Sequence, residues 1–182
     1  MAETKEKLIV SKERVKDHGE VYTPKKTVEE MCDMEGVKDC TYDLTSTILE
    51  PACGDGNFLV ELVARKMDAA TRVTEFDRIL DSYETCVLKA VSLIYGVDIL
   101  PDNIEESRKR MREVVAEKYS KHTGHNMTED FEACVAKIIE LNTIWGNTLT
   151  TSAFKTDEDN IKKATAEETA EEKPKKRKKA EA

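Results

Sequence analysis

The sequence predicts an α/β fold in which helices flank a parallel sheet. Three short segments, at residues 44–51, 93–100 and 142–149, are predicted to be strands, and residues 93–100 are a compact apolar run typical of a buried strand. Segments with helical periodicity separate these predicted strands. Strands that alternate with helices are joined by right-handed crossovers and therefore lie parallel in one sheet.

Five segments have the apolar spacing of amphipathic helices. The first begins at Thr23-Pro24, because proline is favoured in the first turn of a helix. The predicted order is helix, strand, helix, helix, strand, helix, helix, strand. The remaining helices are expected at residues 58–67, at residues 71–94, from Pro101-Asp102 onward, and around residues 131–138.

Three regions differ in composition. Residues 1–17 alternate charges around one apolar triplet and are expected to form an N-terminal arm or short helix. Residues 18–150 carry the periodic patterns and form the predicted domain. Residues 151–182 are charged and low in complexity, so we expect a disordered tail. Its PKKRKK run is typical of a nuclear-import signal or of a basic arm that contacts nucleic acid or an acidic partner.

The charge distribution argues against DNA binding by the domain alone. The net charge is −8, and the last twelve residues carry six positive and three negative side chains, which leaves −11 on the rest. An acidic surface repels a phosphate backbone.

No run of 18 apolar residues is present to span a membrane. Five cysteines without a CxxC pair indicate free thiols in a reducing, cytoplasmic environment.

The stretch ILEPACGDGNFL, at residues 48–59, has the features of a ligand-binding turn between a strand and a helix. Its glycines let a ligand approach the backbone, and parallel α/β sheets bind ligands at the carboxyl ends of their strands. The spacing fits neither the GxxxxGK phosphate loop nor the GxGxxG dinucleotide loop. Glu50 and Asp55 favour a ligand with hydroxyl groups and a positive charge over a phosphate.

A second acid, Asp98, ends the next apolar run. In that position an acid can accept hydrogen bonds from both hydroxyls of a ribose. A nucleoside with a positive charge and no phosphate corresponds to S-adenosylmethionine, which we predict as the ligand. The simpler alternatives are a purely structural turn at residues 50–56 and a solvated acid at Asp98.

Four segments, in this order along the chain, resemble the adenine-specific DNA methyltransferases of restriction–modification systems. HGEVYTP is similar to the family segment that closes over the methionine end of the cofactor, and LEPACGDGNFL resembles the cofactor loop. YGVDILPDNIEESRKRM resembles the second strand with its acid and the following helix, and IWGNTL resembles the third cofactor-contacting turn. The resemblance covers roughly residues 18–149 and implies a partial Rossmann-like methyltransferase fold.

The resemblance implies cofactor-binding roles for nine residues. Tyr22, Thr23 and Pro24 would flank the methionine moiety, and Asp98 would hold the ribose. Asn147 stands where the family usually has an aspartate that contacts the adenine amino group, and an amide carbonyl can still accept that hydrogen bond. The cofactor loop would be shaped by Glu50, Ala52, Gly54 and Gly56.

No catalytic residue is predicted. The family holds the flipped base with Asn or Asp, then Pro-Pro and an aromatic residue, but the four prolines of this chain are never adjacent. We therefore expect no DNA methylation by the chain alone. Either a partner subunit supplies catalysis and DNA recognition, or the chain is a non-catalytic S-adenosylmethionine-binding or protein-interaction protein. An incomplete sheet would expose an apolar edge, so a homo-oligomer or a covering partner is expected.

No metal site is predicted either. His122, His125 and Cys134 lack the four-ligand spacing of a zinc site and are more simply explained by a surface loop. Cys53 beside the glycine turn is interpreted as a small buried side chain, because no histidine or lysine neighbours it in sequence.

Overall fold

The computed structural model describes residues 8–76 and 82–150. These residues form a three-stranded sheet with seven helices, which confirms the predicted α/β class and the parallel sheet. Residues 1–7 of the predicted arm and the whole predicted tail lie outside the described residues. The elements are α1 (Lys12–His18), α2 (Lys25–Cys32), α3 (Lys38–Thr41), β1 (Ile48–Glu50), α4 (Asn57–Phe76), α5 (Tyr83–Ser92), β2 (Ile94–Asp98), α6 (Pro101–Thr123), α7 (Glu129–Asn142) and β3 (Thr143–Trp145).

The strands pair in the order β1-β2-β3, and both pairings are parallel. Two helices connect each strand to the next, α4 and α5 before β2, and α6 and α7 before β3. Crossovers between parallel strands are right-handed, and both steps move in the same direction across this sheet. The two connections therefore lie on one face, in agreement with the contacts of α4, α5, α6 and α7 with β2.

The side chains of β2 alternate between the helix-covered face and the opposite face. Gly96 faces the helices, since an added Cβ there would lie 2.7 Å from Cδ1 of Leu59 in α4. Leu49 and Tyr95 are register partners in the alternate row and keep 58% and 39% of their surface exposed. The described residues therefore cover the opposite face incompletely.

The hydrophobic core lies between the sheet and the helix layer. Burial of each large apolar side chain there contributes about 1.5–3 kcal/mol. Val28 and Cys32 of α2 join the same core, which packs α2 onto α4. The core fixes the strand ends, and with them the turns that follow the strands. Its fully buried members include Leu59, Met67, Val91, Ile104, Met111 and Ile139.

The helix boundary predicted within residues 58–94 is wrong. The prediction placed a break near residue 70, whereas α4 continues through that point and α5 begins only at Tyr83. Ala69 and Ala70 are buried, and no glycine or proline interrupts the helical pattern there. Ser82 supplies the side-chain cap that starts α5.

A buried lysine fastens the loop that leads into β1. Lys66 of α4 has 0% of its surface exposed, and its ammonium group donates to the backbone oxygens of Cys40, Asp43 and Ser46. Three acceptors match the three donors of the ammonium group, which offsets the burial of its charge. Burial lowers the pKa of Lys66. The loop at residues 40–46 is thereby tied to α4 just before the first strand.

The five cysteines all lie in the described residues and carry free thiols. Cys32, Cys53 and Cys86 are buried, whereas Cys40 and Cys134 are exposed.

No helix in residues 8–76 or 82–150 has both the length and the apolar character that a membrane crossing requires. The expected cytoplasmic location stays a prediction.

Candidate functional site

A cleft opens at the carboxyl ends of the three strands. Its volume is about 570 Å³, which is in the range of small-molecule sites. The turns after β1, β2 and β3 form three walls, and residues 18–22, which run from the end of α1, form the fourth. Parallel α/β sheets bind ligands at this end, so this cleft is the candidate site.

Hydrogen bonds connect the turns that form the walls. The backbone N–H of Gly146 donates to the backbone oxygen of Asp98 at 2.9 Å, which joins the third turn to the end of β2. The Thr148 hydroxyl donates to the backbone oxygen of Pro51 at 3.0 Å, which joins the third turn to the first. The three turns therefore hold one another in place.

Five of the nine residues predicted to bind the cofactor line this cleft. They come from the N-terminal wall and from all three turns, so the fold brings together segments that are far apart in sequence. Their contact with a cofactor stays a prediction. The five are Tyr22, Ala52, Gly54, Asp98 and Asn147.

The other four predicted residues lie outside the lining of the cleft and have contacts within the chain. Pro24 is the N-cap residue of α2, and the backbone oxygen of Thr23 accepts a 2.8 Å hydrogen bond from the first side chain of α4. Oε1 of Glu50 accepts a 3.2 Å hydrogen bond from the N–H of Ala52, and burial raises the pKa of the Glu50 carboxyl. Gly56 packs against α6.

The two glycines of the first turn meet different requirements. Gly54 has φ +53° and Gly56 has φ +96°, a backbone conformation that L side chains rarely adopt. A Cβ on Gly56 would lie 2.7 Å from Cβ of Ser107, so this glycine allows the turn to pack closely on α6. A Cβ on Gly54 would lie 3.3 Å from the Tyr22 ring, so Gly54 keeps the turn close to the N-terminal wall.

Asp98 is buried at the end of β2 and already accepts three hydrogen bonds. Its Oδ2 accepts from the N–H of Gly54 at 2.9 Å. Its Oδ1 accepts from the N–H of Leu100 at 2.9 Å and from Nδ2 of Asn103 at 3.2 Å. A carboxylate offers about four acceptor positions. Three of these positions are used by hydrogen bonds that hold the turns. One position, at Oδ2, remains to accept from a ligand hydroxyl, whereas the sequence predicted that Asp98 accepts from both hydroxyls of a ribose.

Asn147 forms a local side-chain turn after β3. Its Oδ1 accepts a 3.0 Å hydrogen bond from the N–H of Leu149, a pattern typical of asparagine in turns. This bond uses one of the two acceptor positions of the side-chain oxygen. The second acceptor position and the amide nitrogen remain, so Asn147 can accept from the adenine amino group, as expected from the sequence, or donate to a ring nitrogen.

The sequence-based prediction lacks four polar residues of the cleft, His18, Thr148, Glu20 and Asn103, and the last two contact each other. Oε1 of Glu20 accepts hydrogen bonds from Nδ2 of Asn103 at 2.8 Å and from Nη2 of Arg14 at 2.6 Å. The Tyr22 hydroxyl lies 3.0 Å from Oδ1 of Asn103 and 3.3 Å from Oε1 of Glu20. Burial raises the pKa of Tyr22, so its hydroxyl remains a donor. Glu20 and Asn103 lie within segments that carry the family resemblance, which was the one available signal.

The end of α1 places Glu20 beside the cleft. Gly19 takes the left-handed conformation, with φ 68°, and its N–H donates to the backbone oxygen of Val15 at 3.0 Å. The helix has no buried residue. Arg14 forms ion pairs with Glu20 and with Asp102 at the start of α6. The helix α1, which leads into this wall, is therefore attached by the charged contacts of Arg14, whereas Tyr22 attaches the wall itself to Asn103.

The charges of the cleft favour a neutral or positively charged ligand. Glu20 and Asp98 line it together with His18, and neither lysine nor arginine is among its lining residues in the described chain. Burial opposes ionisation of Glu20, but hydrogen bonds from Arg14 and Asn103 outweigh burial and lower the pKa of its carboxyl. Glu20 is therefore ionised at neutral pH. A phosphate group would lack the guanidinium or ammonium partner that such groups favour.

The rim of the cleft is apolar. Val21, Ile99 and Leu149 line it and are exposed, Leu149 by 93%. Nε1 of Trp145 donates to the backbone oxygen of Ile99 at 3.0 Å and holds the second turn next to β3. Apolar walls around a few polar groups are typical of sites for small organic ligands.

No group of three or more potential metal ligands occurs in the described part of the chain. His122 lies in the last turn of α6 and not in the expected loop. Its Nδ1 is 3.3 Å from the Glu75 carboxylate, and its ring centroid is 4.1 Å from that of Tyr83. The ring of His125 lies 5.9 Å from that of Tyr119. These contacts place both histidines in an aromatic cluster.

Comparison with protein-family models, curated proteins and solved structures finds no significant match to this chain. The geometry and charges of the cleft are therefore the basis for a functional proposal.

Proposed function

We propose that the cleft binds S-adenosylmethionine and that the domain is an incomplete Rossmann-like methyltransferase fold. The observation that carries this proposal is the presence of two carboxylates, Glu20 and Asp98, in a cleft lined by no lysine or arginine of the described chain, at the carboxyl ends of parallel strands. S-adenosylmethionine combines a positive charge and ribose hydroxyls with no phosphate. The glycine turn between β1 and α4 supports the same ligand, because nucleotides of such sheets lie against this turn.

The residues of the cleft fit the parts of this cofactor. Asp98 would accept a hydrogen bond from a ribose hydroxyl, and Asn147 would accept one from the adenine amino group or donate one to a ring nitrogen. Val21, Ile99 and Leu149 would cover apolar surface of the nucleoside. Ala52 has a small side chain and Gly54 has none, which leaves room for the ligand beside the backbone of the first turn.

We infer a role in adenine-specific DNA methylation from the four segments that resemble that family. When bound, S-adenosylmethionine supplies an activated methyl group. The sequence contains no adjacent prolines and hence no Pro-Pro catalytic motif. Catalysis and DNA recognition would therefore come from a partner subunit, which also agrees with the net charge of −8.

The incompletely covered sheet face supports association with that partner or with a second copy of the chain. Exposed apolar patches of soluble proteins often mark interaction sites, and Leu49 and Tyr95 lie next to each other on this face. Light scattering after size-exclusion chromatography tests the homo-oligomer, for which a mass above that of one chain is expected. A monomer over the whole concentration range would contradict it.

Isothermal titration calorimetry with S-adenosylmethionine tests the binding proposal directly. We expect saturable binding with one site per chain. Ala52→Trp fills the cleft and should abolish the heat of binding, whereas Ala116→Trp, on the exposed surface of α6, should leave it unchanged. No binding by the original chain, or equal binding by both variants, would exclude this cleft as the site.

Methyl transfer tests the role in DNA methylation. The chain alone should incorporate no methyl groups into adenine-containing DNA, and addition of a partner with an Asn-Pro-Pro-Tyr motif should produce incorporation. The second candidate function, a non-catalytic cofactor-binding or interaction protein, is favoured by the exposed sheet face. It predicts binding without transfer whichever partner is added.

A further inference from the structure

Glu20 has an unequal distribution of hydrogen bonds over its two carboxylate oxygens. Oε1 accepts from Arg14 at 2.6 Å and from Asn103 at 2.8 Å, and the Tyr22 hydroxyl lies 3.3 Å away. Oε2 is buried and has no hydrogen-bond partner within the described residues. Buried polar atoms are almost always hydrogen-bonded, so an unpaired carboxylate oxygen calls for a ligand or another donor.

The residue that carries this oxygen belongs to the lining of the cleft. The Glu20 side chain is only 6% exposed, and Glu20 is one of the residues that line the cleft. Two hydrogen bonds hold the carboxylate in place, because Arg14 reaches it from α1 and Asn103 from α6. A carboxylate fixed in this way can accept a hydrogen bond without a further loss of side-chain entropy.

The second carboxylate of the cleft cannot take the same role equally well. Asp98 already accepts from two backbone N–H groups and from Asn103. Its charge is therefore shared among donors from the chain, and one acceptor position remains. Glu20 is the acid of the cleft with an entirely unused oxygen, and hydrogen bonds from its neighbours keep it ionised, since they lower the pKa of its carboxyl despite burial.

We propose that Glu20 binds a primary ammonium group of the ligand in this cleft. An ammonium group has three donors and a positive charge, which complement an unpaired carboxylate oxygen. This inference rests on the proposed function, because the ammonium group is then that of the amino-acid part of S-adenosylmethionine. It makes Glu20 a residue that selects nucleosides carrying an amino acid over simple nucleosides.

The experiment combines a change in the protein with a change in the ligand. The ligands are S-adenosylhomocysteine and its desamino analogue, in which hydrogen replaces the amino group. Wild-type protein should bind the desamino analogue about 10- to 100-fold more weakly, the range expected for a hydrogen bond between charged groups. Glu20→Gln keeps the shape of the side chain but removes its charge, and should reduce this ratio to about 3-fold or less.

The matched control is Asp102→Asn. Asp102 also forms an ion pair with Arg14 but does not line the cleft, so this variant should retain the full wild-type ratio. The wild-type ratio needs no variant, so the test stands even if Glu20→Gln unfolds, which its thermal unfolding curve would reveal.

Each outcome has a separate meaning. If the wild-type protein binds neither compound, the proposed function fails and the ammonium site fails with it. If S-adenosylhomocysteine binds but removal of its amino group changes the affinity by less than about 3-fold, the cofactor proposal stands and the role of Glu20 is overturned. The role of Glu20 is likewise overturned if Glu20→Gln retains the full wild-type ratio.

Discussion

The backbone N–H of Gly54 donates a 2.9 Å hydrogen bond to Oδ2 of Asp98, which ties the turn after β1 to the end of β2. The other oxygen of Asp98 accepts from the N–H of Leu100 at 2.9 Å. Asp98→Asn replaces one of these acceptors with an amide nitrogen and leaves a backbone N–H facing a donor. We expect the free energy of unfolding to fall by about 1–3 kcal/mol, measured by urea unfolding without ligand.

The matched control for this loss of charge is Glu117→Gln on the exposed surface of α6. It should change the free energy of unfolding by less than about 0.5 kcal/mol. Equal stabilities of the two variants would mean that water can replace Asp98 as the acceptor for both turns.

The sequence was sufficient to predict the parallel sheet, the helices that connect its strands and five of the residues that line the cleft. The carboxyl ends of parallel strands meet at one edge of a sheet whatever the details of packing, so the glycine turn and Asp98 could be grouped in advance. Ala52 and Asn147 were added by the family resemblance. The cofactor assignment itself depends on the resemblance and stays a prediction.

Other features depend on contacts that no local pattern records. Glu20 meets Asn103 across 83 positions of sequence, and that contact arises only when α1 docks on the start of α6. The turn to Leu149 uses one acceptor position of the Asn147 amide oxygen, which the sequence alone does not reveal. The boundary of α4 was missed because the buried alanines near residue 70 continue one apolar pattern, in which no residue signals the end of a helix.

Gly56 should be far less tolerant of alanine than Gly36, although both have positive φ. Gly36 has φ +81° and nothing within 4 Å of an added Cβ, so Gly36→Ala reports backbone strain alone, about 1–2 kcal/mol. Gly56→Ala adds a Cβ that would lie 2.7 Å from Cβ of Ser107 and 2.9 Å from its Cα. Overpacking contributes roughly a further 1–3 kcal/mol, measured by urea unfolding of both variants.

A similar loss of stability in both glycine variants would argue against the close packing of the first turn on α6. Shortening Ser107 to glycine should recover only part of the loss in Gly56→Ala, because the Cα of residue 107 would remain within 2.9 Å.

Arg14 should control the attachment of α1 to the rest of the domain. The helix has no buried residue, and Arg14 joins it to Glu20 and Asp102. Arg14→Gln removes both ion pairs and should increase amide hydrogen exchange in residues 12–18 by about 10-fold or more, since hydrogen bonds to charged groups contribute about 1.5–3 kcal/mol. Mass spectrometry of the exchanged peptides measures this change.

The control for Arg14 is Lys16→Gln, which removes an exposed positive charge from the same helix and should leave exchange within about 2-fold of the original chain. Wild-type protein in high salt should shift partway toward the Arg14 variant, because salt screens exposed ion pairs. Unchanged exchange in Arg14→Gln would show that apolar contacts hold the helix.

Cys53 should make the stability of the domain depend on pH in the alkaline range. Burial, with smaller contributions from the charges of Asp98 and Glu50, raises the pKa of the Cys53 thiol to about 12. In the unfolded chain the thiol ionises near its ordinary pKa of about 8.5. Between these values the unfolded state has lost a proton that the folded state keeps, so stability falls as the pH rises.

Comparison of the original chain with Cys53→Ala isolates this effect from the other groups that titrate in the same range. The stability advantage of the original chain over the variant should shrink by roughly 1–2 kcal/mol between pH 8 and pH 10, measured by urea unfolding at each pH. Cys134→Ala is the matched control for removal of a cysteine, because Cys134 is exposed. A constant difference between the original chain and Cys53→Ala would mean that the thiol ionises equally in both states, which contradicts its burial beside Gly96 and Asp98.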